Sequence, residues 1–294
     1  MIKYSIKDLE KLTGIKAHTI RIWEKRYNIV CPLRTKTNIR YYTDSDLKRL
    51  LNVSILNRNG FKISTIVSLS KEEINKSVME ASSGSLGFES QIESLVIAML
   101  DMDENKFEKV ISNSILTLGF DNTVSNIIFP FLEKIGLLWQ IGTINPAHEH
   151  FITNLIRQKL IIAIDSQIIT LKSNCKTFIL FLPEDELHEL SLLYYCFLIK
   201  KRGHQVIYLG QNLPLEDLQQ AKLITHPDFF VTVLTSAISK KDLQVFIKKI
   251  SENFPEQTIL LGGHQIIEFP DSHTKNVFLM KMKSDLENIL LNIN

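Results

Sequence analysis

From Thr177 onward, short apolar runs rich in β-branched and aromatic residues alternate with helix-patterned segments, and few folds satisfy that alternation. The runs "TFILFL", "QVIYL", "FFVTVL", "TILLG" and "VFLM" read as strands. Helices fit between them at His188–Arg202, Leu215–Leu223 and Lys240–Asn253, with a last one from Asp285. Strand–helix alternation predicts a doubly wound parallel sheet, whose ligands sit beyond the carboxyl ends of the strands.

Three loops fall at that edge. "EDELHELS" follows the first strand, "LTSAIS" the third and "LLGGHQ" the fourth. They exclude several users of such a sheet. No G-x-G-x-x-G follows the first strand, so a dinucleotide is not expected. A phospho-receiver needs an aspartate at the end of the third strand, where this chain has Thr235. A flavodoxin needs a Ser/Thr-rich phosphate loop after its first strand, and "PEDELH" is acidic.

The other end of the chain differs in charge. Residues 1–75 hold 15 Lys and Arg against 7 Asp and Glu, and the remainder holds 19 against 25. The first segment is therefore the expected polyanion binder. "YSIKDLEKLTG" reads as a short amphipathic helix stopped by Gly14, and "KAHTIRIWEKRY" as a second helix burying Ile20 and Trp23. That pair predicts a helix-turn-helix. Pro32 then breaks the helix, and Arg34 and Arg40 flank a polar turn before "IRYY", which predicts a basic hairpin, or wing. Asp44 or Ser45 can cap a third helix from near Asp46.

"TIRIWEKRYNIVCPLRTKTNIRYYTDSDLKRL" closely resembles the recognition helix, wing and following helix of the MerR family of winged-helix regulators. The resemblance covers the first quarter of the chain. It implies a double-stranded DNA operator, with Thr19, Arg21, Arg26 and Tyr27 near bases or phosphates and Arg34, Arg40 and Tyr41 on the backbone contacts of the wing.

Residues 70 to 90, with "EASSGSLGFES", read as a linker. Between Glu89 and Gln167 apolar residues recur at helical spacing in four segments, which predicts a small bundle. Trp139 ends its third helix, and "HEH" (His148, Glu149, His150) opens the fourth after Pro146. As a metal site this trio is poor: it has no H-E-x-x-H, and adjacent residues face different sides of a helix. Cys31, Cys175 and Cys196 lie far apart, so neither a disulfide framework nor a zinc site is expected. No apolar run reaches the roughly 20 residues of a membrane span.

The three sheet-edge loops resemble those of the cobalamin-binding domain, whose pattern is Asp-x-His-x-x-Gly, then Ser-x-Leu, then Gly-Gly. Here they read Glu186-Leu187-His188-Glu189-Leu190-Ser191, Thr235-Ser236-Ala237 and Gly262-Gly263. "RGHQVIYLGQNLPLEDL" is also similar to that family. The resemblance implies His188 as lower axial ligand of cobalt, oriented by the Glu186 carboxylate. It implies Ser191 under the corrin, Thr235 and Ser236 beside it, and Gly262 and Gly263 where backbone approaches the nucleotide tail. Glu186 and Ser191 depart from the family's Asp and Gly.

A MerR head joined to such a domain resembles the CarH/LitR class of cobalamin-dependent repressors. That class carries a Trp followed ten residues later by Glu-His over the upper face of the corrin, and Trp139, Glu149 and His150 reproduce the spacing. Light-gated members can have a histidine directly after the Trp; Gln140 stands here, which leaves a photoreceptor role open.

The expected fold is multidomain, α and α/β. Residues 1–75 form the winged-helix head, 76–170 a helical-bundle cap, and 171–294 a flavodoxin-like sheet domain. The function implied is a cytoplasmic, non-enzymatic regulator of transcription, a repressor controlled by adenosylcobalamin or another cobalamin and acting as a homo-oligomer, dimer or tetramer. The alternatives are a MerR-type regulator whose sensor domain has lost its ligand, and a corrinoid methyl carrier.

Overall fold

Three helices of the amino-terminal region start on a hydroxyl, which accepts from an amide that has no partner within the helix. The computed structural model describes residues 3–35, 37–83, 88–140, 144–168, 174–267 and 274–293. Helix α1 (Ile6–Thr13) begins with a reciprocal Ser5–Asp8 capping box and ends on Gly14 at φ 69°. Helix α2 (Ala17–Tyr27) follows, burying Ile20 fully and Trp23 partly. Strands β1 (Leu33–Arg34) and β2 (Arg40–Tyr41) pair antiparallel as the expected wing.

Helix α3 (Asp44–Arg58) starts earlier than the sequence suggests, and its cap is Thr43 rather than Asp44 or Ser45. Thr43 accepts from the Asp46 amide while the Asp46 carboxylate accepts from the Thr43 amide, so the two satisfy each other. After α4 (Ile63–Ser68), Ser70 and Glu73 form the same reciprocal pair and launch α5 (Lys71–Ser83). Much of the stretch read as a linker is thus helical, and the 75/76 boundary falls inside α5. The rest of that linker at residues 84–87 lies outside the described residues.

Helix α6 (Glu89–Asp101) is buried on all sides from Ile92 to Leu100 and is the axis of the bundle. Against it pack α7 (Glu104–Leu118) and α9 (Phe129–Gln140), with α8 (Phe120–Thr123) between them in the chain and α10 (Pro146–Asp165) following. A π turn at Val124–Ile128 joins α8 to α9, with the Phe129 amide donating to the Val124 carbonyl. Pro130 explains it: a proline inside a helix lacks the N–H and crowds the carbonyl four residues back, and a widened turn relieves the crowding.

Two compact units result, Met1–Leu155 and Ile156–Asn294. The helix-turn-helix and most of the bundle share the first. Among the described residues no helix is long and apolar enough to cross a membrane.

The second unit holds β3 (Thr177–Pro183), α11 (Leu190–Lys201), β4 (Gln205–Leu213), α12 (Leu215–Thr225), β5 (Phe229–Val233), α13 (Lys240–Asn253), β6 (Thr258–Gly262), β7 (Val277–Met280) and α14 (Lys283–Asn292). The five strands are parallel in the order β4-β3-β5-β6-β7. The order of strand addition reverses between β3 and β5, from β4 on one side to β5, β6 and β7 on the other, the position where such sheets open a crevice for ligands. Ile179, Phe181, Phe230, Ile259 and Leu261 form one core layer with Leu218 of α12 and Leu243, Ile247 and Ile250 of α13.

Candidate functional site

The loop after β3 and the loop after β5 meet at that crevice, and Glu186 joins them. Its side chain is buried, 2% exposed. Oε2 accepts the backbone amides of Thr235 (2.7 Å) and Ser236 (2.8 Å). Oε1 accepts the Ser236 hydroxyl (3.0 Å), the His188 amide (3.0 Å) and His188 Nδ1 (2.7 Å). Burial alone would raise the carboxyl, but the His188 ring and the amides of Ser236, His188 and Thr235 outweigh it and bring it down to about 2. Glu186 is therefore ionised at neutral pH and can only accept, so Nδ1 of His188 must donate. In the neutral ring that fixes the tautomer and leaves Nε2 as the lone-pair nitrogen.

His188 itself is 60% exposed in its side chain. It does not open α11 as expected; the helix begins at Leu190, and the His188 amide donates to Glu186. The loop is held from β4 as well. Asn212 Oδ1 accepts the Asp185 amide at 3.0 Å, and Gln211 Nε2 donates to the Leu187 carbonyl at 2.6 Å. Asp185 and Asn212 both adopt positive φ, at 65° and 55°. On the far side of His188, Glu189 receives Arg157 Nε at 2.7 Å and the Tyr208 hydroxyl at 3.1 Å.

Thr235 and Ser236 thus join Glu186 and His188, Thr235 through its backbone. Ser191 lies in the first turn of α11 and is partly exposed. The two glycines answer to the protein's own packing. Gly263 sits at φ 110°, and a Cβ there would lie 2.2 Å from the Leu234 carbonyl oxygen. A Cβ on Gly262 would lie 2.9 Å from the Tyr195 hydroxyl. They let the loops after β5 and β6 lie against each other, with the Leu234 amide on the Gly262 carbonyl at 2.9 Å.

Trp139, Glu149 and His150 belong to the first unit. Trp139 is 51% exposed at the end of α9. Glu149 Oε2 and His150 Nδ1 pair at 3.2 Å although they are neighbours in a helix. The side chain of Gln140 lies outside the described residues. Among the described residues no three His, Cys, Asp or Glu gather to hold an ion. A single imidazole such as His188 suits a metal that brings its other ligands with it, as the cobalt of a corrin does.

In the head, Arg21, Arg26, Arg34 and Arg40 are exposed, and Thr19, Tyr27 and Tyr41 partly so. Glu24, which sequence reasoning passed over, ties the recognition helix to the wing. Arg40 Nε lies 3.5 Å from Glu24 Oε1, and the Tyr42 hydroxyl donates to Oε2 at 3.2 Å. Arg34 donates to Asn38 Oδ1 at 2.6 Å across the hairpin, and Asn38 takes the turn at φ 64°. Arg26 lies 5.4 Å from the Tyr27 ring centre and Lys3 Nζ 4.9 Å from that of Tyr41.

Residues 4–73 match the family model for MerR HTH family regulatory proteins, and residues 91–163 match that for the B12 binding domain. The HTH-type transcriptional repressor CarH of Myxococcus xanthus is 27% identical over 88% of this chain and 88% of its own length. The repressor CarA of the same organism is 25% identical, over 88% and 85%. Among solved structures, the monomethylamine corrinoid protein of Methanosarcina barkeri is 14% identical, with a TM-score of 0.37 over 76% of this chain and 100% of that one. With the helix-turn-helix and wing at one end and helices α6 to α10 matched as a B12 domain, the chain joins a MerR-type DNA-binding domain to a B12-binding domain.

Proposed function

We propose that this chain is a cobalamin-dependent repressor of transcription that senses its ligand with the bundle and sheet and reads operator DNA with the winged-helix head. The observation that carries the reading is the Glu186–His188 pair at the crevice, an exposed imidazole whose Nδ1 is committed at 2.7 Å to an ionised, buried carboxylate. In this reading His188 would hold the cobalt through Nε2. Glu186 orients the ring and raises its basicity, with Ser236 supporting both. Bound cobalamin would supply a cobalt centre with an exchangeable organic ligand, adenosyl in this proposal. Ser191, Gly262 and Gly263 would line the approach. Trp139, Glu149 and His150 would respond to the upper ligand.

The active form is a homo-oligomer, since two half-sites of a palindrome need two symmetric recognition helices. We take residues 1–75, 76–170 and 171–294 as head, cap and sensor in function, no chemical turnover as part of the role, and the cytoplasm as its compartment. Ligand acts through differential affinity for two assembly states.

Spectroscopy of the purified chain with adenosylcobalamin and hydroxocobalamin tests the reading most directly. A base-off, histidine-on spectrum that His188→Ala abolishes is expected. A corrin spectrum indifferent to His188, or no corrin binding, would leave a MerR regulator with a ligand-free sensor. Size exclusion and gel shifts with adenosylcobalamin, in darkness and after illumination, then read the coupling. Trp139→Ala should uncouple binding from assembly more than it weakens binding. A dark response that light does not reverse would remove the photoreceptor and keep the sensor. On DNA, Arg21→Ala should lower operator affinity, and Arg40→Ala should also reduce the salt slope by about one.

A further inference from the structure

The most deeply buried charge of the first unit lies where the helix-turn-helix meets the bundle. Glu93, on the axial helix α6, is 1% exposed. Its Oε1 meets Arg58 Nη2 at 2.6 Å, while Oε2 is buried with no hydrogen-bond partner. Arg58 closes α3, and its Nη1 also reaches Glu89 at 2.7 Å. The same Nη2 donates to Ser54 Oγ at 2.7 Å and approaches the Thr13 carbonyl at 3.5 Å. Ser54 Oγ donates to that carbonyl at 3.1 Å. Thr13 ends α1, Gly14 follows in the left-handed region, and Ala17 opens α2, so this carbonyl belongs to the turn of the helix-turn-helix. Lys134 of α9, five residues before Trp139, is near enough for its positive charge to act on Glu93.

Helices α3 and α6 run antiparallel, and a second ion pair, Lys48 with Asp101, ties their opposite ends at the surface. An exposed pair of that kind contributes little. A buried pair fixes one arrangement, and loss of either partner leaves the other charge uncompensated.

We propose that the ion pair between Arg58 and the buried Glu93, backed by Lys134, is the joint that positions the helix-turn-helix for operator binding, which makes Arg58 and Glu93 positioning residues outside the recognition helix and wing. The inference rests on the DNA-binding reading of the head and deepens it. Burial pushes the Glu93 carboxyl up to about 7 against the opposing pull of Arg58 and Lys134. Glu89 and the Ser54 hydroxyl are the other polar groups of the cluster. Oε2, with no donor, is where a proton would settle. Protonation would leave Arg58 and Lys134 without the carboxylate between them, with the exposed Glu89 as the remaining acid of the cluster.

The test uses the full chain and duplexes selected for binding to it from a random-sequence pool. Glu93→Gln keeps size and an acceptor for Arg58 but loses the charge. At about pH 8 it should bind those duplexes roughly tenfold more weakly than the native chain, within the usual range of positional coupling. The salt slope should not change, because no phosphate contact is removed. The affinity ratio should close toward one near pH 6, where the native Glu93 is itself protonated. A ratio near one at the higher pH, or a deficit that does not vary with pH, would overturn the joint. Should Glu93→Gln not fold, Lys134→Met carries the test. Removing that cation should move the midpoint of the affinity profile to higher pH, and an unmoved midpoint would overturn the proposal. If the native chain selects no duplex at all, the DNA-binding reading falls and the inference with it.

Discussion

Glu93 and Glu186 are equally hidden, 1% and 2% exposed, yet burial governs one and is overruled in the other. Glu186 receives three backbone amides, a hydroxyl and an imidazole, and stays ionised down to about 2. Glu93 has its hydrogen bond from Arg58 on one oxygen and none on the other, and rises to about 7. A guanidinium and a nearby ammonium do less here than amides held in place by two loops. Burial opposes ionisation at both, and the donors gathered on Glu186 overcome it where those on Glu93 do not. One carboxylate is built to stay charged beneath an imidazole, the other to sit near its protonation point.

The comparison is broken most severely at Glu186. Glu186→Ala orphans the amides of Thr235 and Ser236, each of which costs about 1–3 kcal/mol when left buried and unpaired. Urea unfolding should show a loss of about 3 kcal/mol in the second unit, and a loss under about 1 kcal/mol would mean water replaces the carboxylate.

Acid titration sharpens the contrast, because the two groups act in opposite directions. The folded value of Glu186 lies below the ordinary 4.5, so its contribution is present above that pH and is lost as the pH falls toward about 2. That limb should amount to about 2–3 kcal/mol and vanish in Glu186→Gln. Glu93 lies above 4.5, so the folded state holds its proton more tightly and stability declines as pH rises from there toward about 7. Glu93→Gln should flatten that slope. Unfolding midpoints across pH for the native chain and both variants give the answer, and slopes of the same sign would refute the assignment.

A smaller effect on stability is expected at His188, whose side chain is 60% exposed. His188→Ala should change unfolding by about 1 kcal/mol or less while removing the ligand signature, which separates support from function. Smallest of all, Asp101→Asn at the surface end of α3 and α6 should move stability by about 0.5 kcal/mol or less, since its partner Lys48 can turn to water.

The regular elements were legible because period and punctuation agree. All five strands, the helix Lys240–Asn253 and the wing at Arg34 and Arg40 stand where apolar runs and breakers put them. The misreadings came from side chains that satisfy the backbone locally. Thr43 and Ser70 cap α3 and α5 by reciprocal bonds with acids three residues on, a pattern hidden in stretches that look merely polar. Glu186 was legible as the carboxylate behind His188, but its hold on the Thr235 and Ser236 amides spans 49 and 50 residues and leaves no local trace. Glu24 was invisible for the same reason, since its partners Arg40 and Tyr42 arrive with the wing. The glycine pair was visible, but its packing reason in Leu234 and Tyr195 needed coordinates.

The pinning of the Asp185–Glu189 loop by Asn212, Gln211, Tyr208 and Arg157 has a kinetic consequence. The loop's conformational freedom is surrendered when the second unit folds, so little remains to be lost on meeting a ligand. Capture at His188 would then proceed without a slow ordering phase, and exchange would be governed by how quickly the occupant leaves.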